Sequence, residues 1–71
     1  MHDEKLKNVI EAILLASYEP LSVDKLFRII TTKVKVNKSD ILSAIDNLEK
    51  DYVDRDIEIA KVASGYRIQA K

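Results

Sequence analysis

The sequence predicts an α+β domain in which three helices are closed by a C-terminal β-hairpin, and three observations predict it. The string Leu14-Leu15-Ala16-Ser17-Tyr18-Glu19-Pro20-Leu21-Ser22 joins two segments of helical periodicity and interrupts them at Pro20. A third helical segment begins after Asn37. Beyond it the period changes from helical spacing to alternation, around the turn signal Ser64-Gly65. Helix, joint, helix, helix, hairpin is the order of a winged helix-turn-helix.

Each element has a local cause. Asp3 is suited to cap the first helix, with Glu4 favourable in its first turn. Leu6, Val9, Ile10, Ile13, Leu14 and Ser17 fall on one side at about 100° per residue. Leu15 projects opposite that stripe, beside Asn8 and Glu11. Pro20 removes a backbone donor and biases Glu19 away from helical geometry, so this helix ends near Ser17–Tyr18. Ser22 is the next N-cap, and Val23, Leu26, Phe27 and Ile30 make a one-sided stripe for a short second helix. Thr31–Val36 is β-branched and alternating, which admits a short strand between the second and third helices. Asn37 followed by Asp40 resembles a capping box with Asp in the place of Glu or Gln. The third helix carries Ile41, Ala44, Ile45, Leu48 and Tyr52 on one face and ends around Tyr52–Asp54. Ile57, Ile59 and Lys61 then alternate with Glu58, Ala60 and Val62, and Tyr66, Ile68 and Ala70 with Arg67, Gln69 and Lys71. Tyr66 and Ile68 belong to the core or to a partner seam.

Composition narrows the function. At 71 residues the chain makes one domain. A core of that size supplies only roughly 3–5 kcal/mol unaided, and oligomerisation is a common remedy. Twelve basic and twelve acidic residues cancel, so no global field draws the chain onto nucleic acid or membrane. There is no cysteine, hence no thiolate site or disulfide framework, and the longest apolar run, Ala12–Ala16, is far short of a membrane span. The first residues lack the apolar stretch of a signal peptide. A cytoplasmic protein is expected.

Chemistry finds little footing. His2 is the only histidine, and it lies at the terminus. A single glycine cannot build a phosphate-cradling loop, and no Cys/His cluster offers a metal site. Asp54 and Asp56 read as loop solubility. No catalytic, cofactor-binding or metal-ligating residue is assigned, and an enzyme is not expected.

Binding residues are easier to name. Leu15, off the core stripe, and Tyr18, an amphipathic residue beside the joint, are interface candidates. Ile29, flanking the second helix's stripe, is a third. The competing expectation is that the hairpin folds over this side of the first helix and buries Leu15 and Tyr18. For nucleic acid, a recognition helix should present Arg, Lys, Asn or Gln. Residues 37–54 carry Lys38 and Lys50 against Asp40, Asp46, Glu49, Asp51 and Asp54, a net charge of −3, with Asn47 as the one base-reading type. The positive charge lies instead between Lys25 and Lys38, where Lys25, Arg28, Lys33, Lys35 and Lys38 give +5 with no acid. Lys33, Lys35 and Lys38, with Arg67 on the wing beside Gln69, Lys71 and, across the turn, Lys61, are the candidate phosphate contacts. The same lysines would equally guard an exposed edge strand.

Several strings, taken in order, carry a resemblance. They are Leu6-Lys7-Asn8-Val9-Ile10-Glu11-Ala12, then Ala16-Ser17 with Glu19-Pro20-Leu21-Ser22, then Ile45-Asp46-Asn47-Leu48-Glu49, and finally Ile57-Glu58-Ile59 through Gly65-Tyr66-Arg67-Ile68-Gln69. At these spacings the chain resembles the first winged-helix domain of the segregation and condensation protein B family. The likeness covers nearly the whole chain. It departs from the family's pattern at Tyr18, where a small or polar residue is more usual, and at Asp54-Arg55-Asp56, where a glycine is common. It also lacks the family's second winged-helix domain, so residues 1–71 are expected to be the first of two domains in a longer protein. The resemblance implies a homodimer and a kleisin partner, with the SMC ATPase reached through the kleisin. It also implies a role in chromosome condensation and segregation at the nucleoid; the basic stretch from Lys25 to Lys38 allows at most a weak DNA contact. A DNA-binding transcriptional regulator using Lys33, Lys35, Lys38 and the wing is the alternative.

Overall fold

The computed structural model describes residues 3–71. Three helices, α1 (Asp3–Ala16), α2 (Val23–Thr31) and α3 (Lys38–Asp51), precede a hairpin of β1 (Ile57–Val62) and β2 (Gly65–Ala70). The architecture is the expected three helices plus a two-stranded antiparallel wing. α1 already includes Asp3, so the start that Asp3 was expected to cap lies outside the described residues, as does His2. α1 stops at Ala16, a residue or two earlier than Pro20 suggested. Ser17 leaves the helix and turns its hydroxyl onto the Glu19 carbonyl at 2.7 Å.

The helix starts follow their capping residues. Ser22 accepts from the Lys25 N–H at 3.1 Å. Asn37 and Asp40 form a reciprocal capping box: Asn37 Oδ1 accepts the Asp40 N–H at 2.9 Å, and Asp40 Oδ2 accepts the Asn37 N–H at 3.1 Å. Aspartate is long enough for the task.

The short strand that Thr31–Val36 admits does not form. Thr31 is the last residue of α2, and Lys33 and Val34 both donate back to the Ile30 carbonyl. The hydroxyls of Thr31 and Thr32 are spent on the carbonyls of Phe27 and Ile29 at 2.6 and 2.7 Å. The Lys33 and Val34 N–H groups that a strand would offer for pairing are thus taken by the end of α2, and the threonine hydroxyls reinforce that terminus, so β-branching loses to it. The third-strand position is taken instead by Leu21 in the joint. Leu21 bridges Tyr66 of β2, with Leu21 N–H donating to Tyr66 O at 2.9 Å and Tyr66 N–H to Leu21 O at 2.8 Å.

That bridge explains the one glycine. The turn residues are Ala63 and Ser64, between the Val62–Gly65 pair, and neither has positive φ. Gly65 opens β2 at φ +143°, and a Cβ there would overlap the Leu21 carbonyl and the Ser22 nitrogen. It is needed for close backbone approach rather than for the turn itself.

The core is apolar throughout. Leu6, Ile10 and Leu14 of α1 meet Leu26 and Ile30 of α2 and Ile41, Ala44 and Ile45 of α3, with Ile59, Tyr66 and Ile68 of the hairpin packed against them. α3 is the common partner: α1 and α2 both pack on it and touch each other little. The register pairs Lys61 with Tyr66 and Ala60 with Arg67. Lys61 therefore shares a face with Tyr66, its ammonium 6.0 Å from the ring centre, and not the Arg67 face expected for it.

Gly65→Ala should destabilise the domain by about 3 kcal/mol, combining left-handed backbone strain with overpacking. Urea unfolding followed by circular dichroism checks this; a loss below about 0.5 kcal/mol would show that the joint yields to a methyl group.

Candidate functional site

Tyr52 is the polar anchor of the helical layer. It is 2 % exposed and closes α3, with its N–H bonded to the Glu49 carbonyl. Its hydroxyl donates to Oε2 of Glu11 on α1 in a short hydrogen bond. Burial and that carboxylate together push the phenol well above its usual range. Its carbonyl accepts the Lys71 ammonium at 2.8 Å, and Lys71 also donates to Val53 O at 3.0 Å. Lys71 thus neutralises the carbonyl end of α3 and is committed to the fold rather than presented on the wing. Beside Tyr52, Lys7 bridges Glu4 at 3.3 Å and Asp51 at 2.5 Å. The Asp51 carboxylate raises its pKa.

The basic stretch is divided by tertiary structure. Lys38 lies 2.5 Å from Asp24 Oδ1 and 5.7 Å from the centre of the Phe27 ring. The ammonium holds the Asp24 carboxyl below the usual carboxylate range. Lys38 is therefore a strut between the starts of α2 and α3. Lys33 and Lys35 are exposed on the loop after α2, and Arg67 is exposed on the wing. Gln69 bonds to Glu58 at 2.9 Å. On α3, Lys50 is paired with Asp46 at 3.4 Å, so the outer face keeps its acidic balance.

The apolar candidates are left uncovered. Leu15 is 63 % exposed, Tyr18 fully exposed and Ile29 45 % exposed. The hairpin does not fold over Leu15 and Tyr18, because the Leu21 bridge docks it on the joint beyond them. Ile29 sits elsewhere, in a groove of about 420 Å³ between α1 and the end of α2, with Val9, Ile13, Val34, Lys5 and Lys33. Neither Leu15 nor Tyr18 lines it. Leu42, Val53 and Val62 are exposed as well, beyond the interface candidates that the sequence offers. Leu42 was legible there, since it falls off the α3 stripe. Among the described residues no three His, Cys, Asp or Glu side chains converge on a metal site, and no helix is long and apolar enough to cross a membrane.

These features define a winged-helix domain whose third helix is acidic and which leaves Leu15, Tyr18 and Ile29 uncovered. A family model described as segregation and condensation complex subunit ScpB matches residues 8–71, and the chain belongs to that family. A segregation and condensation protein B homolog from Coxiella burnetii (strain RSA 493 / Nine Mile phase I) is 38% identical over 71 residues, all of this chain. The chain spans 34% of that relative's length. A conserved hypothetical protein from Chlorobium tepidum, solved by crystallography, superposes with a TM-score of 0.77 at 31% identity, over 97% of this chain and 43% of that one. A crystal structure of a dimer of the ScpB N-terminal domain complexed with a ScpA peptide shares the fold. Its TM-score is 0.81 at 21% identity, over 96% of this chain and 83% of that one.

Tyr52→Phe should cost about 1.5 kcal/mol at neutral pH by removing the hydroxyl from the Glu11 carboxylate. The folded phenol holds its proton beyond the pH at which the unfolded phenol, near 10, has lost it. Its contribution is therefore complete below about pH 10 and fades above it. Urea titrations at pH 7 and about pH 10.5 should show a smaller alkaline loss in the variant than in the parent; equal losses would remove Tyr52 as the cause.

Proposed function

We propose that this chain is a non-enzymatic docking subunit of a bacterial SMC–kleisin complex, acting in chromosome condensation and segregation. It self-associates and holds a kleisin, and through the kleisin it reaches the SMC ATPase. It works in the cytoplasm, at the nucleoid, as the first of two winged-helix domains of a longer protein. Family membership over residues 8–71 supports the reading, as does the fold held in common with an ScpB N-terminal domain that is dimeric and complexed with a ScpA peptide.

The observation that carries self-association is the exposure of Leu15 and Tyr18 on either side of the α1 terminus. Fully burying a large apolar side chain contributes roughly 1.5–3 kcal/mol. That is a large fraction of what a core this small supplies, so association and stability should be linked. An aromatic residue with two side-chain torsions also loses little entropy when it becomes an interface anchor.

A duplex-reading role is less favoured. The acidic outer face of α3 opposes phosphates, and Lys38 is engaged by Asp24. Lys33, Lys35 and Arg67 provide for at most a weak, sequence-independent contact.

Sedimentation velocity over a dilution series tests self-association. The parent should move from dimer to monomer on dilution, and Leu15→Glu with Tyr18→Glu should be monomeric throughout with an unchanged helical spectrum. A parent that is monomeric at every concentration would end the dimer assignment. Fluorescence anisotropy with a random duplex should show binding only at low salt, lost by about 150 mM and removed by Lys33→Glu with Lys35→Glu. Tight binding that survives this salt would instead favour the regulator.

A further inference from the structure

The helical layer leaves an opening that the core does not need. Because α1 and α2 pack on α3 and hardly on each other, their flanks stand apart along one side of the domain. Lys5, Val9 and Ile13 lie at i, i+4 and i+8 on α1, a row about 12 Å long. Ile29 and Val34 form the opposite wall, and the space between is about 420 Å³. Val9, Ile13 and Val34 are only partly buried, although Val9 and Ile13 belong to the stripe that should be core.

The charge at this groove has one sign. Lys5 and Lys33 border it, both are exposed, and no acid lines it. Among the described residues neither forms an ion pair, whereas Lys7, Lys38 and Lys50 each hold a carboxylate and Lys71 holds two carbonyls.

We propose that this groove receives a short amphipathic helix from a partner protein, with apolar anchors at i, i+3 or i+4, and i+7, flanked by Asp or Glu. The anchors of two helical turns span about 10 Å, which matches the α1 row. Acidic flanks meet Lys5 and Lys33 and set orientation and register. A nucleic acid would satisfy the lysines and leave the apolar walls unfilled. A second copy of the described fold, offering Leu15 and Tyr18, is the competing occupant, and loss of self-association on reversing the two lysines would reveal it. The inference deepens the docking reading and rests on it, assigning the partner's place and chemistry separately from the self-association surface.

Selection from a displayed library of random peptides about 14 residues long tests it on the 71-residue chain. Enriched peptides should carry the amphipathic pattern with acidic flanks. Lys5→Glu with Lys33→Glu should weaken them about tenfold, and peptides with Lys in place of the acids should bind that variant better than they bind the parent. The same variant should sediment like the parent. No enrichment, enrichment without acids, or binding insensitive to the charge reversal would overturn the proposal. Loss of binding on Leu15→Glu with Tyr18→Glu, or loss of self-association on reversing the two lysines, would also overturn it. Peptide capture by a strictly monomeric chain would leave the groove standing and remove only the dimer.

Discussion

The backbone bridge between Leu21 and Tyr66 is the constraint from which the shape of this domain follows. Two hydrogen bonds of 2.9 and 2.8 Å tie the α1–α2 joint to the wing. They form only because residue 65 has no side chain to keep the strands apart. Once the bridge is made, Tyr66 and Ile68 are carried onto the core. The hairpin is then held beside the joint, which leaves the outer side of α1 open at Leu15 and Tyr18. A two-stranded hairpin alone is marginal in water. Here it gains a third, one-residue neighbour and an apolar face to pack upon.

The second organising element is α3. Capped at one end by the Asn37–Asp40 box and closed at the other by Tyr52 and Lys71, it serves as the surface on which α1 and α2 both rest. Tyr52 links three segments at one point: α1 through Glu11, the end of α3 through its own backbone, and the last residue of the chain through Lys71. A buried phenol whose hydroxyl has a carboxylate partner meets the requirement that buried polar groups be paired, and no buried side-chain polar atom lacks a partner among the described residues. An α3 used in this way has its apolar face inside and an acidic face outside. That combination supports a scaffold better than a reader of the major groove.

Much of this was legible along the chain. The stripes of α1, α2 and α3 follow from helical period, and Ser22, Asn37 and Asp40 cap where their chemistry allows. The exposed positions of Leu15 and Ile29 follow from the same geometry, since a residue off the stripe faces solvent unless another element arrives. The segment Thr31–Val36 was misleading because β-propensity reports fit to a half-buried pleated surface, and no sheet comes near enough to supply one. The +5 stretch misled in a different way. Linear charge ignores Asp24, one residue before the stretch, which folding brings to Lys38. The groove between α1 and α2 had no linear signal, because Val9 and Ile13 satisfy the core period whether or not α2 closes over them.

By itself the sequence determined the helices, their caps, the joint, the hairpin and the family, because these rest on interactions within a few residues or on ordered local strings. It also determined the charge balance that argues against a nucleic-acid field. Tertiary structure decided which lysines remain free, where the wing sits, and that α1 and α2 stand apart. Those outcomes depend on contacts between residues more than a dozen positions apart, such as Leu21 with Tyr66, Glu11 with Tyr52 and Asp24 with Lys38. Such contacts are set by how α3 and Gly65 place whole elements against one another, and no periodicity in the chain encodes that placement.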